Sequence, residues 1–151
     1  MNKKIVIVVG ILLILAGVCV YANTLFEPQK PSEYSIGITY EEAEKTGKPV
    51  LALFYADWCR YCLKFMPKYK MLHSLYKDKF SFVMLNVDSE ANEKIVEDYA
   101  LNGFPTVYII DPKYDNRVLL SNALYMDLGK LRVELDRYLR IRGLLDSAPV
   151  E

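Results

Sequence analysis

The chain has 151 residues, close to the size of one domain, and 52% of them are hydrophobic, more than ordinary soluble usage. Its formal net charge is zero, which argues against a nucleic-acid-binding surface and against electrostatic capture by acidic lipids. No internal repeat or long low-complexity tract is present, so the composition reads as one globular domain with an appendage.

Residues 1–22 read as a targeting segment. Lys3 and Lys4 precede an uncharged run over 5–21, and Val20-Tyr21-Ala22 has the form of a small-x-small cleavage site. The run is also just long enough to span a bilayer, so a cleaved signal and a retained anchor both stay open. Lysines before the span place the following domain outside the cytoplasm in either case. Cys19 follows Val18, where a lipoprotein signal has a small residue, so it reads as one more apolar residue of the run. Residues 23–33, with Pro28 and Pro31, read as a polar linker.

Thr39 caps a short helix through Glu41, Glu42 and Ala43, which Gly47 stops. The continuous apolar run 50–55 after Pro49 predicts a central strand buried on both faces. From Cys59 the period turns helical, with Cys62, Phe65, Met66, Tyr69, Leu72 and Tyr76 on one side and Lys64, Lys68 and Lys70 largely on the other. Pro67 lacks an N–H and should bend this helix. Residues 80–87 form the next buried strand, and a helix carrying Ile95, Val96 and Tyr99 starts at Ser89 or Glu90. A strand over 106–110, a turn over 111–116 and a hairpin partner over 117–120 follow. Asp127 caps the last helix, whose stripe is Leu128, Leu131, Leu135 and Tyr138, and 146–151 form a tail. The order predicts an α/β fold, a sheet with helices on both faces.

Cys59 and Cys62 then lie at the C-terminal end of a central strand, where open α/β sheets place their sites. Free N–H groups and the macrodipole of the following helix favour negative charge there. A thiolate at Cys59 is thereby stabilised, and its pKa should fall below the free value of about 8.5. Cys62, one turn on and deeper, can close a disulfide onto it, giving a two-electron redox switch. Half a zinc site is the alternative, but only Cys19 and His73 are left to complete four ligands, so no metal is expected. A purely structural staple is disfavoured because so short a loop gains little.

Trp58-Cys59-Arg60-Tyr61-Cys62 resembles the active site of the thioredoxin superfamily. Pro67 five residues later, Asn86-Val87-Asp88 closing the next strand, and Gly103-Phe104-Pro105-Thr106 agree in order and spacing. The lead-in Gly47-Lys48-Pro49-Val50 and the Tyr55-Ala56-Asp57-Trp58-Cys59 wording are similar to the thioredoxin-like domain of transmembrane disulfide-interchange reductases of bacterial envelopes. The resemblance covers 34–145 and implies the thioredoxin fold, a central mixed sheet flanked by helices on both faces, here behind an N-terminal hydrophobic signal or anchor helix. Only 34–38 could supply the family's first strand.

The resemblance also implies roles. Cys59 is the expected nucleophile and Cys62 the resolving thiol. Pro105 is the expected cis-proline, with the backbone before it pairing with substrate and Phe104 bordering the groove. Trp58 is expected to shield the sulfur, although a plain core tryptophan competes. Arg60 and Tyr61 are expected to tune the pair, Arg60 by favouring the thiolate unless it is merely solvated. No cofactor beyond the pair is implied. Two positions depart from the family: the usual buried acid and its lysine are replaced by Leu53 and Met84. No unpaired buried charge results, but a base for Cys62 is missing, which predicts slow resolution. Asp57 is expected to face solvent, and Tyr61 and Tyr125 belong to a tyrosine-rich surface that could bind a protein partner, with solvated or half-buried tyrosines as the default.

The implied function is an extracytoplasmic thiol–disulfide oxidoreductase, in a bacterial periplasm or on the outer face of the cell membrane. It would reduce protein disulfides with electrons from a membrane donor, because that compartment is oxidising. The motif fixes the exchange chemistry and not its direction. An oxidase or isomerase is the second reading, although no histidine lies inside the Cys-x-x-Cys and no inserted helical domain is visible. A thioredoxin-like binding module without turnover is the third.

Overall fold

The computed structural model describes residues 3–25 and 29–148. Helix α1 covers Lys3–Leu25. After a 3-10 turn at Pro31–Glu33 come α2 (Tyr40–Glu44), β1 (Val50–Tyr55), α3 (Arg60–Tyr76) and β2 (Ser81–Asn86). A 3-10 turn at Glu90–Asn92 leads into α4 (Glu93–Glu97), and β3 (Thr106–Asp111), β4 (Asn116–Leu120), α5 (Asn122–Tyr125) and α6 (Leu128–Ser147) complete the domain.

The sheet order is β2-β1-β3-β4, with β1 parallel to β2 and the remaining pairs antiparallel. The sheet is therefore mixed. Strand β1 is buried along its whole length, as an apolar run with helices above and below requires. Its side chains alternate between two cores. Leu51, Leu53 and Tyr55 pack with α3 and with Leu131 and Leu135 of α6, while Val50, Ala52 and Phe54 pack with Ala43, Val83, Leu85 and Tyr99 on the other face. Helices thus cover both faces. Tyr69 of α3 is wholly buried, and its hydroxyl lies 2.7 Å from the Leu51 carbonyl and 2.9 Å from that of Val83. Burial pushes its phenol far up, so the hydroxyl stays a donor.

Local chemistry sets the ends. The Thr39 hydroxyl accepts the Glu42 N–H at 3.3 Å, and the Glu42 carboxylate accepts the Thr39 N–H at 3.0 Å, a reciprocal cap. Asp127 Oδ1 accepts from Gly129 and Lys130 N–H at 2.9 and 3.2 Å. Helix α3 continues through Pro67. At the far end of the sheet from the cysteines, Asp111 ends β3 fully buried and opens the expected turn, its carbonyl accepting the Tyr114 N–H and its carboxylate the Lys113 N–H, both at 3.2 Å. Its carboxylate accepts from Arg142 Nε at 2.6 Å and from the Tyr138 hydroxyl at 3.3 Å. Burial and the adjacent Asp111 charge push the Tyr138 phenol up to about 12.

Residues 34–38 form no strand. Their backbone touches the sheet through one bond, Ile38 N–H to the Phe82 carbonyl at 3.0 Å. Gly37 sits there at φ +84°, where a Cβ would come within 2.1 Å of that carbonyl oxygen, so the close approach requires glycine.

The expected N-terminal signal or anchor helix is not shown as a membrane span. Apolar side chains of α1, among them Ile5, Leu12, Leu13 and Val20, are exposed. Among the described residues no helix is long and apolar enough to cross a membrane. The proposed cleavage point at Ala22 and part of the linker lie outside the residues whose side chains are described.

Candidate active site

The site is built where β1 ends. Tyr55 closes the strand, and the turn Ala56-Asp57-Trp58 carries the chain to Cys59, the N-cap of α3. Cys59 is extended (φ −80°, ψ 107°), and its sulfur accepts the Cys62 N–H at 3.1 Å. One otherwise free amide of the first turn therefore points at the sulfur, the contact a thiolate needs there. Cys59 and Cys62 are joined as a disulfide with their Cα atoms 5.2 Å apart. Cys62 is wholly buried and Cys59 nearly so.

Phe104–Pro105 is a cis peptide bond in the loop before β3. Pro105 is buried, and its carbonyl accepts the Tyr125 hydroxyl at 2.6 Å. The Thr106 hydroxyl donates to the Gly103 carbonyl at 2.6 Å, tightening the same loop. Beside it lies a groove of about 620 Å³ whose walls include Tyr61, Phe104, Pro105, Leu119, Tyr125 and Met126, and no charged side chain lines it. A larger cavity of about 900 Å³ lies away from the cysteines, along β2 and α4.

Trp58 is not a core residue. It is 68% exposed, stands edge-on to Phe104 with ring centroids 6.0 Å apart, and donates its indole N–H to Asp88 at 2.9 Å. Trp58 and Phe104 thus bring the Cys-x-x-Cys turn and the proline loop together. Tyr61 is 63% exposed, whereas Tyr125 is buried beneath the proline loop instead of joining the surface. Burial raises the Tyr125 phenol, which keeps its hydroxyl a donor to Pro105. Arg60 is exposed on the first turn of α3. Leu53 and Met84 are direct cross-strand partners, Leu53 fully buried and Met84 partly so, both in the core beneath Cys62.

Asp57 does not simply face solvent. Its carboxylate accepts the Ser32 N–H at 3.0 Å and the Ser32 hydroxyl at 2.6 Å. It also contributes, after burial, to raising the phenol of Tyr55. The segment before the domain is therefore clamped to the redox turn. The Ser32–Asp57 clamp, the Trp58–Asp88 bond and the Tyr125–Pro105 bond leave no mark in the sequence pattern. Their partners lie 20 to 30 residues apart, beyond any local period. Among the described residues no group of three or more His, Cys, Asp and Glu side chains could hold a metal ion. Cys19 is free and exposed on α1.

The sequence matches the thioredoxin family profile over residues 38–120. It is 40% identical over 74 residues to the chloroplastic thioredoxin-like protein HCF164 of Arabidopsis thaliana, covering 49% of this chain and 28% of that protein. It is 36% identical over 105 residues to a protein disulfide-isomerase of Drosophila melanogaster, covering 69% of this chain and 20% of the relative. The chain thus spans less than a third of either relative. Among solved structures, the thioredoxin Deadhead of Drosophila melanogaster superposes with a TM-score of 0.54 at 23% identity, covering 69% of this chain and 98% of that one, a likeness of fold. With the matched segment running from Ile38 to Leu120 around the Cys59–Cys62 disulfide and the cis Phe104–Pro105 bond, the chain belongs to the thioredoxin family.

Proposed function

We propose that this chain is an exported thiol–disulfide oxidoreductase that reduces protein disulfides through Cys59 and Cys62. The observation that carries the reading is the Cys59 sulfur at the N-cap of α3, taking the Cys62 N–H beside an uncharged groove at Pro105. In the reduced protein the Cys59 thiolate attacks one sulfur of a substrate disulfide. A mixed disulfide forms and one substrate thiolate leaves. The Cys62 thiolate then attacks the Cys59 sulfur, the intramolecular disulfide forms and the second substrate thiolate leaves. Two electrons pass to the substrate and the protein is left in the oxidised state described above.

The role of each neighbour follows from its place. Trp58 and Tyr61, exposed on either side of Cys59 in the chain, offer aromatic surface to a docked substrate, Arg60 adds positive charge near the developing thiolate, and Phe104 and Pro105 align the substrate backbone. The pair itself is the redox group, so no cofactor is assigned. Return to the dithiol takes two electrons from a donor dithiol, which we place at a membrane, with the domain on the extracytoplasmic side. The uncharged apolar run 5–21 of α1, behind Lys3 and Lys4, supports this placement, because a helical stretch apolar all round favours an apolar surround.

The named function of one relative, protein disulfide-isomerase, favours isomerisation as the second reading. The reduction potential of the pair separates the two. A value at or below about −250 mV supports a reductase, and one between about −120 and −180 mV moves the assignment to oxidase or isomerase. Cys62→Ser should accumulate mixed disulfides through Cys59. Unchanged, non-covalent partners would instead identify a binding module.

A further inference from the structure

The Ser32–Asp57 clamp fixes where the N-terminal segment meets the domain. Pro31 is buried, the Lys30 N–H donates to the Glu33 carboxylate at 3.1 Å, and Ser32 grips Asp57 through both its N–H and its hydroxyl. Asp57 is two residues from Cys59. The segment therefore joins the domain at the redox face and not at the opposite pole, where Asp111 and Arg142 lie. From Leu25, the end of α1, to Ser32 is seven peptide steps, which reach at most about 25 Å when fully extended.

The redox face has the chemistry of a surface that meets a bilayer boundary. Trp58 and Tyr61 stand out from it, 68% and 63% exposed, and aromatic side chains of this kind concentrate at the membrane–water interface. Arg60 and Lys64 lie on the same first turns of α3, with the Lys64 ammonium 5.9 Å from the Tyr61 ring centre. Asp57 and Asp88, which accept from Ser32 and from the Trp58 indole, keep their negative charge and balance these cations, so the aromatic pair carries the interfacial character of the face.

We propose that the Ser32–Asp57 clamp turns the redox face toward the membrane that holds α1, with Trp58 and Tyr61 at its polar boundary. The dithiol partner of Cys59–Cys62 then works at the bilayer surface. This rests on the membrane placement proposed above.

Trp58 is the only tryptophan in the chain and reports its own position. The full chain is reconstituted into phosphatidylcholine–phosphatidylglycerol vesicles carrying a nitroxide either on the headgroup or deep in the acyl chain. We expect Trp58 emission to be quenched strongly by the headgroup label and weakly by the deep one. Quenching should fall in Ser32→Ala and further in Asp57→Ala, while flotation shows all three proteins equally vesicle-bound. Ser32→Ala removes one hydroxyl only, so it serves if Asp57→Ala does not fold. Vesicle-bound protein with unquenched Trp58, or quenching equal in wild type and Ser32→Ala, overturns this inference and leaves the proposed function intact. Failure of the wild type to float with the vesicles overturns the membrane placement itself, and this inference with it.

Discussion

Replacing Arg142 with methionine should destabilise the domain by about 3 kcal/mol without changing the redox potential. The Asp111 side chain is 0% exposed and that of Arg142 15% exposed. Arg142 supplies the Nε–H at 2.6 Å to Asp111, a second N–H to the Gly47 carbonyl at 2.8 Å and a third to Asp146 at 3.1 Å. Removing one partner of a buried pair leaves an uncompensated charge, at about 3–5 kcal/mol. The lower end applies because the Tyr138 hydroxyl, at 3.3 Å, and the Lys113 N–H, at 3.2 Å, continue to serve the carboxylate. For a domain of this size the melting temperature should fall by about 10–15 °C. Urea titration of the oxidised protein gives the change in midpoint at constant slope. Adding Asp111→Asn to Arg142→Met should recover part of the loss, since the stranded charge is then gone. The pair closes the end of the sheet where Val50 meets Ile110, whereas Cys59 follows the other end of β1, so the Cys59–Cys62 potential should not move. A loss below about 1 kcal/mol, the size of an exposed ion pair, would refute the reasoning.

His73 stacks edge-on against Phe82, 5.1 Å between centroids, and burial followed by the Lys77 charge holds its imidazole below the ordinary value. The unfolded chain therefore binds the proton more readily, and this contribution to stability is lost as pH falls from above about 6.5 toward the lower folded value. Stability measured from about pH 7.5 to about pH 5.0 should fall more in wild type than in His73→Gln, and parallel curves would rule the effect out. Leu53→Asp with Met84→Lys sets a carboxylate and an ammonium at directly paired positions beneath Cys62, and rapid-quench trapping should show mixed-disulfide resolution faster by on the order of tenfold or more. An unchanged rate would mean that proton removal does not limit resolution. Tyr125→Phe deletes the 2.6 Å bond to the Pro105 carbonyl and should cost about 1 kcal/mol of stability. It should lower kcat/KM on protein disulfides more than on a small aromatic disulfide, and equal losses on both would argue against a role in holding the groove.

Sequence reasoning succeeds where one physical signal acts alone. The apolar run after Pro49 sets the limits of β1 because nothing polar interrupts it, and Thr39 with Glu42 marks α2 through a reciprocal cap that is local by nature. The Cys59–Cys62 spacing fixes the strand-to-helix junction for the same reason. The turn that Asp111 opens is legible from its Asp, Pro and Asn, but the burial of the Asp111 carboxylate is not, because its partner Arg142 lies 31 residues away. Helix α5 escapes notice because four residues are too few to show a helical period. Asp57 is assigned to solvent because nothing near it in the chain demands an acceptor, and its partner Ser32 precedes the fold's first strand. The replacement of a buried ionic pair by Leu53 and Met84 is legible through the family resemblance, and the two positions are direct partners across β1 and β2.

Gly37 carries one more consequence, for how copies of the chain behave toward each other. Strand β2 is an outer strand of the sheet, and such a strand offers its backbone as a template for a neighbour. Here the chain lays a glycine against the Phe82 carbonyl and hands that oxygen the Ile38 N–H, so the template is interrupted at its first step. A blunt backbone plug has replaced a strand. One acceptor of that margin is thereby taken within the molecule, and the contact depends on a residue with no side chain to contribute.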